Sequence, residues 1–255
     1  MRYILFQIEQ IKIYSYGLMI AIGIIAAFLV TECRAEKKGL EKERIFNLGI
    51  WCVIGGLLGA KVLYYITELP AIIKNPALLK NVSEGFVVYG GIIGGIFAGF
   101  LYCKKNKLEF LKYFDLVMPS IALAQGFGRI GCFLAGCCYG RETKAWYGVT
   151  FHNSPYAPND VALIPTQLIS AVADFLLFAL LVYLSKKISA AGSIAGFYLI
   201  FYSIGRFLIE MLRNDERGNV GILSTSQFIS CFLLIIGIAI LIAVNKMKKK
   251  KLSEK

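Results

Sequence analysis

Seven stretches of this chain carry almost no charge over lengths that approach or exceed the roughly 20 helical residues needed to cross a hydrocarbon core. They lie near 13–30, 45–66, 86–102, 113–134, 163–184, 191–212 and 228–244. The expected fold class is therefore all-α, a polytopic membrane protein with seven transmembrane helices. One membrane domain over residues 1–245 is followed by a basic tail over 246–255. The third stretch is short and carries Gly90, Gly91, Gly94, Gly95 and Gly99, which suits close packing between helices. The first stretch lacks a basic leader and a small-residue cleavage site, so it is expected to remain in the protein.

The net charge of +12 belongs to the loops. Seventeen Lys and Arg fall in 32–44, 103–112, 186–187 and the tail, against eight in the segments on the opposite side. By the positive-inside rule the N-terminus is outside and the C-terminus cytoplasmic. Basic residues arranged this way anchor a topology, with the tail close to anionic lipid, and they argue against a nucleic-acid-binding surface. Seven cysteines, an odd number lying partly within apolar segments, do not form the framework of a secreted disulfide-rich protein.

Given that topology, polar residues can be assigned a depth. Tyr16, Lys61, Tyr89, Gln125, Arg129, Gln167, Tyr202, Arg206 and Glu210 all fall in the outer half of their helices. Tyr202, Arg206, Glu210 and Arg213 are spaced by four, four and three and so share one helical face, and Gln125 sits one turn from Arg129. Six helices are thus expected to turn polar groups toward an outward-opening cavity. Asp174 is the exception, near the middle of its helix.

An intramembrane arginine is costly unless it is paired, wetted or facing a charged ligand. Two arginines and a lysine at headgroup depth suit a phosphate or phosphodiester, because the guanidinium fork binds such oxygens bidentately and keeps its charge. If a bond to that phosphate breaks, the same cations stabilise the charge on the leaving group. Each residue also has a plainer reading. Arg206 and Glu210 suit an intrahelical ion pair, Arg129 and Lys61 could snorkel to the interface, and Tyr16, Tyr89 and Tyr202 could belong to an aromatic belt. Their convergence from separate helices favours a site. His152, the only histidine, reads as a loop residue. Cys132, Cys137 and Cys138 form a C-x4-C-C pattern that matches no standard zinc spacing and read as small packing residues.

The run Gly128-Arg-Ile-Gly-Cys-Phe-Leu-Ala-Gly-Cys-Cys-Tyr-Gly-Arg-Glu-Thr143 resembles the GRIGNFxNGExxGRxT signature of the bacterial prolipoprotein diacylglyceryl transferase family. Tyr202–Asp215 is similar to that family's YGxxRFxxExxRxPD. Tyr16-Gly17-Leu18, Gly59-Ala60-Lys61, Gly90-Gly91 and Pro165-Thr-Gln-Leu168 extend the match in order along the chain. The resemblance implies a seven-helix enzyme of the bacterial inner membrane whose site faces the outer leaflet, with neither metal nor cofactor. It would move a diacylglyceryl group from phosphatidylglycerol to the lipobox cysteine thiol of a prolipoprotein, releasing glycerol phosphate.

Carried over by position, the resemblance gives Arg129 and Arg206 the phosphodiester and leaving group, with Tyr202 and Tyr16 positioning it. Tyr89 occupies the place of the family's histidine. Lys61, Gly90, Gly91, Cys132, Gly136, Gly140, Gln167, Glu210 and Arg213 complete the implied substrate-binding set, with Gly140 allowing close backbone approach.

The chain departs from the pattern on one side. Tyr89 replaces histidine, Cys132 replaces asparagine, and Ala135-Gly136-Cys137 replaces AsnGlyGlu. Ile164-Pro-Thr-Gln-Leu-Ile-Ser170 replaces HPxQxxE, and Lys61 stands where arginine is common. The phosphate-binding half survives and the proton-handling half is altered, which leaves open transfer to another acceptor. A lipid-binding or transport protein would use the same cavity without releasing glycerol phosphate. A thiol oxidoreductase would require its cysteines to cycle, whereas on the transferase reading their loss should harm less than Arg129→Ala.

Overall fold

The computed structural model describes residues 4–8, 11–76, 79, 85–215 and 218–253. Its long elements are helices, with three short antiparallel hairpins between them. An N-terminal hairpin, β1 (Ile4–Ile8) and β2 (Ile11–Tyr14), runs directly into α1 (Ser15–Lys37). Then come α2 (Lys42–Thr67), the short α3 (Leu69–Lys74), α4 (Val88–Lys105) and α5 (Phe110–Ala135). The loop after α5 contains β3 (Val149–Thr150) and β4 (Ala162–Leu163). The chain continues through α6 (Thr166–Lys187), α7 (Ser193–Glu210), the β5–β6 hairpin (Asn219–Val220 and Leu223–Ser224) and α8 (Thr225–Ser253).

Six of these helices, α1, α2, α5, α6, α7 and α8, are long and apolar enough to cross a membrane. The chain is an all-α, multi-pass membrane protein. The seventh expected span corresponds to α4, which has only 18 residues and ends in Lys104 and Lys105; it is not among those six. The spans drawn from hydropathy otherwise coincide with helices, most ends lying within about three residues, while α1 and α8 run on well past their expected C-terminal ends, to Lys37 and Ser253.

The chain divides into two compact units, Met1–Val30 with Phe114–Lys255, and Thr31–Tyr113. In the second unit α2 packs along α4 through glycines. A Cβ on Gly59 would strike the carbonyl of Gly90, and one on Gly55 would lie 2.8 Å from the carbonyl of Gly94. Such contact brings two backbones together, and dispersion between them substitutes for the hydrophobic drive that lipid does not supply. Gly90 is buried in this contact, while Gly91 meets Gly56 only at ordinary distance.

The first unit has its core where α5, α6 and α7 meet, around Met118, Ala122, Leu177, Leu181, Ile194, Ala195 and Tyr198. The entry to α7 is fixed by a distant acid. Asp115 accepts hydrogen bonds from the backbone N–H groups of Gly192 and Ala195, both at 2.8 Å, so a side chain of α5 caps the N-terminus of α7. That cap sets where the α7 face bearing Tyr202, Arg206 and Glu210 begins.

Candidate functional site

Four chemically distinctive side chains line one cavity of about 300 Å3 in the first unit: Arg129 from α5, Asp174 from α6, and Tyr202 and Arg206 from α7. Leu176, Leu177, Leu180, Phe201 and Ile209 supply apolar walls. Arg129 is in place because α5 continues past Gln125, whose Oε1 accepts the Tyr198 hydroxyl at 2.9 Å. Tyr198 and Tyr202 lie one turn apart with rings stacked at 5.5 Å, so this contact also orients Tyr202. Asp174, whose partner the sequence left unassigned, stands among two arginines.

Arg206 is held from two sides and open on a third. Its Nη2 donates to the Ser226 hydroxyl at 2.8 Å and lies 2.9 Å from Glu210 Oε2 one turn along α7. Its Nη1 is buried without a hydrogen-bond partner among the described residues. Glu210 in turn accepts from Ser224 at 3.0 Å. The ion pair of the plainer reading therefore exists, yet it leaves one face of the fork unsatisfied. A buried donor of that kind costs free energy until an acceptor arrives.

A second cavity, of about 400 Å3, adjoins this ion pair and is lined by Arg141, Glu210, Met211, Arg213, Asp215, Ser224 and Gln227. Arg213 is buried and binds Asp215 bidentately, Nε to Oδ1 at 3.0 Å and Nη2 to Oδ2 at 2.9 Å. Burial raises the Asp215 carboxyl above its usual range, against the opposing pull of Arg213.

The loop after α5 connects these parts. Gly140 donates to the carbonyl of Ile164 at 3.1 Å, Arg141 to Leu212 at 2.9 Å, and Asn214 to Tyr139 at 3.2 Å, so the loop is hydrogen-bonded between the start of α6 and the end of α7. A Cβ on Gly140 would lie 2.6 Å from the Ile164 carbonyl and 2.8 Å from Thr166 Cγ2. The close approach that Gly140 permits is to the protein's own backbone. Gly136 turns the chain at φ +78°, and Cys138 follows at φ +61°, a conformation rarely adopted outside glycine. From α6, Thr166 Oγ1 donates to the Cys138 carbonyl at 2.8 Å and Gln167 Nε2 to the Cys137 carbonyl at 2.7 Å. Gln167 is 1% exposed and spends its amide on the loop, while its Oε1 has no hydrogen-bond partner among the described residues.

This turn brings three thiols together. The sulfurs of Cys132, Cys137 and Cys138 all lie within 4.8 Å of one another. Cys137 donates to the Cys132 carbonyl at 3.7 Å. Hydrogen bonds from Cys132 and Cys137 lower the Cys138 thiol from its usual range, with Arg213 adding to the effect. Tyr16, in the first turn of α1, packs against Gly131 and lies within electrostatic reach of the cluster and of Arg129.

The remaining expected residues, Lys61, Tyr89, Gly90 and Gly91, are not among those lining the two cavities. Lys61 belongs to the second unit, where its Nζ sits over the rings of Tyr64, Tyr65 and Phe86 at 5.1–5.2 Å. Such a position satisfies the ammonium by cation–π attraction. Tyr89, Gly90 and Gly91 begin α4 in the same unit. His152 forms an exposed pair with Asp160, Nδ1 to Oδ1 at 2.7 Å, in the loop between β3 and β4. Ser170, at the position of the family's acid, donates to the Thr166 carbonyl at 2.6 Å within its own helix. Sequence reasoning passed over Ser224, Ser226 and Asp215, whose side chains orient the arginines. Short polar residues beside apolar runs carry no periodic signal.

The chain matches the family model described as prolipoprotein diacylglyceryl transferase over residues 3–243. It is 53% identical over 238 residues to the phosphatidylglycerol–prolipoprotein diacylglyceryl transferase of Clostridium tetani, covering 93% of this chain and 96% of that protein. A second transferase of that name from Clostridium perfringens is 49% identical over 252 residues, with 98% of both chains covered. The Staphylococcus carnosus protein of the same name is 33% identical over 243 residues, 93% of this chain and 88% of the relative.

Proposed function

The chain belongs to the prolipoprotein diacylglyceryl transferase family, and from that premise we propose that it transfers the diacylglyceryl group of phosphatidylglycerol to the lipobox cysteine thiol of a prolipoprotein. The observation that carries this reading is the shared cavity of Arg129 and Arg206, with a buried Arg206 Nη1 awaiting an acceptor. A phosphodiester supplies such an acceptor, and the apolar walls from α6 and α7 suit the acyl chains beside it.

In the reaction the substrate sulfur forms a bond to the glyceryl carbon. The bond from that carbon to the phosphate oxygen breaks, its electron pair leaves with glycerol phosphate, and the thiol proton passes to water. Arg129 and Arg206 stabilise the added charge on the departing oxygens, which is where fixed cations have most leverage. Tyr202 and Tyr16 position the headgroup. Glu210 and Ser226 hold the Arg206 fork in plane, and Arg213, locked by Asp215, stiffens the adjoining loop. By family position Tyr89 is proposed as a catalytic residue and Lys61, Gly90 and Gly91 as substrate-binding residues.

We place the enzyme in the bacterial cytoplasmic membrane as one seven-helix domain, with α4 the seventh span, the site toward the outer leaflet and the C-terminus inside. The distribution of Lys and Arg supports this orientation. A reporter fused after Lys246 that is active only in the cytoplasm is expected to be active; activity solely from a periplasm-type reporter would invert the topology.

Transfer is tested with purified protein, phosphatidylglycerol labelled in its diacylglyceryl group, and a lipobox peptide. The expected result is a labelled thioether peptide with stoichiometric glycerol phosphate. Lipid binding without either product would point to a carrier protein.

A further inference from the structure

Three cysteines that sequence spacing assigns to packing are brought by the fold to a single point. Cys132 comes from the last turns of α5, and Cys137 and Cys138 come from the turn that follows. Their sulfurs lie within 4.8 Å of one another. A packing role needs no such convergence, nor a non-glycine residue at φ +61° to complete it. Strained backbone of that kind tends to persist where the surroundings over-determine it, often at functional sites. Here Thr166 and Gln167 fix the carbonyls of Cys138 and Cys137 from α6. The turn is held in shape by groups other than the thiols.

We infer that Cys132, Cys137 and Cys138 form a three-thiolate site for a zinc-class metal ion whose fourth position takes the thiol of the acceptor substrate. Zinc–sulfur bonds of about 2.3 Å place tetrahedral ligand sulfurs about 3.8 Å apart, so the cluster needs to contract by no more than about 1 Å. Thiolates select soft or borderline ions over magnesium or calcium. Three protein ligands with one open position is the arrangement of catalytic rather than structural zinc.

The charges also fit. Coordination of a divalent ion by three thiols releases three protons to water and leaves one net negative charge. Arg213 stands beside Cys138, and Arg129 lies three residues from Cys132 on α5. Arg129, which makes no salt bridge among the described residues, is in place to offset it, while Arg213 already shares its charge with Asp215.

The open position bears on the altered half of the family pattern, where Tyr89 replaces histidine. A metal-bound thiol is deprotonated without a side-chain base. The acceptor thiol would lose its proton to water on binding the ion, attack the glyceryl carbon with its sulfur pair, and leave as a neutral thioether, a weak ligand. This inference rests on the transferase reading only for the identity of the fourth ligand.

The test uses the full-length protein, purified with reductant and chelator and then freed of both. Titration with Co(II) is expected to give one ion per chain with sulfur-to-cobalt charge-transfer bands and tetrahedral visible bands. Metal loading should protect three of the seven cysteines from a thiol reagent. Adding a lipobox peptide should shift the visible bands, and a peptide with serine for the cysteine should not.

The triple variant C132S/C137S/C138S should lose the charge-transfer bands. The single variants C137S and C138S serve if the triple variant does not fold, and each should lower the band intensity. Absence of Co(II) and Zn(II) uptake, or uptake unchanged in these variants, overturns the metal site. Uptake with no response to the cysteine peptide overturns the acceptor role alone. Failure of transferase activity with metal and peptide binding intact would count against the proposed reaction and leave the metal site standing.

Discussion

Arg129→Ala is expected to lower kcat/KM for diacylglyceryl transfer by at least about a hundredfold and as much as a thousandfold, the usual cost of deleting one charge-stabilising donor from an enclosed site. Arg129 lines the cavity together with Arg206 and, unlike Arg206, makes no salt bridge among the described residues. Asp174 shares the cavity and offsets part of that charge. Removing Arg129 therefore leaves the incoming phosphodiester to Arg206 alone.

Arg129→Lys restores the charge but not the planar fork, and should recover only part of the rate. The readout is initial transfer velocity over a range of phosphatidylglycerol concentrations. A variant that keeps more than a tenth of the wild-type kcat/KM would remove Arg129 from the catalytic set.

Much of this arrangement was legible before any coordinates. The aliphatic runs are long, and in a bilayer a run of that length has one outcome, so six spans emerge as helices where hydropathy puts them. The face of α7 was equally legible, because residues four apart on a helix must lie together, and Arg206 and Glu210 do pair. Gln125 was correctly placed a turn from Arg129, but its partner Tyr198 was not foreseen. That contact depends on how α5 crosses α7, which no local pattern encodes.

The loop after α5 was the least legible part. Its glycines suggested backbone approach to a ligand, whereas Gly140 is occupied by Ile164 and Thr166 of the protein itself. The reason is that glycine records the absence of space and not what fills it. Likewise C-x4-C-C is a poor metal spacing if the chain is extended or helical throughout. It becomes a cluster only because the helix ends at Ala135 and two residues with positive φ reverse the chain. Lys61 shows the opposite case, a cation expected at the headgroup that three aromatic rings already satisfy.

Glu210→Ala is expected to destabilise the protein by about 3–5 kcal/mol, the range found when one member of a buried ion pair is removed. The side chain of Arg206 is 13% exposed and that of Glu210 4%, so each charge relies mainly on its partner. After the substitution Arg206 keeps only the Ser226 hydroxyl, with Nη1 already unpartnered, and Ser224 loses its acceptor as well. Glu210→Gln keeps an acceptor for Ser224 and for Arg206 and should cost less, since the lost component is the charge alone.

The decisive variant is the double replacement Arg206→Met with Glu210→Leu. Because the desolvation penalty of a buried pair rivals its attraction, this variant should recover most of the stability lost in Glu210→Ala. It should nonetheless remain inactive, since the phosphate would face a methionine. Thermal unfolding in detergent gives the stability order, and the transfer assay gives the activity. Recovery of stability without activity would assign the pair to function at a stability cost. If the double variant were as unstable as Glu210→Ala, the pair would instead be needed for the α7–α8 packing, and the inactivity of Arg206 variants would carry no information about the phosphate.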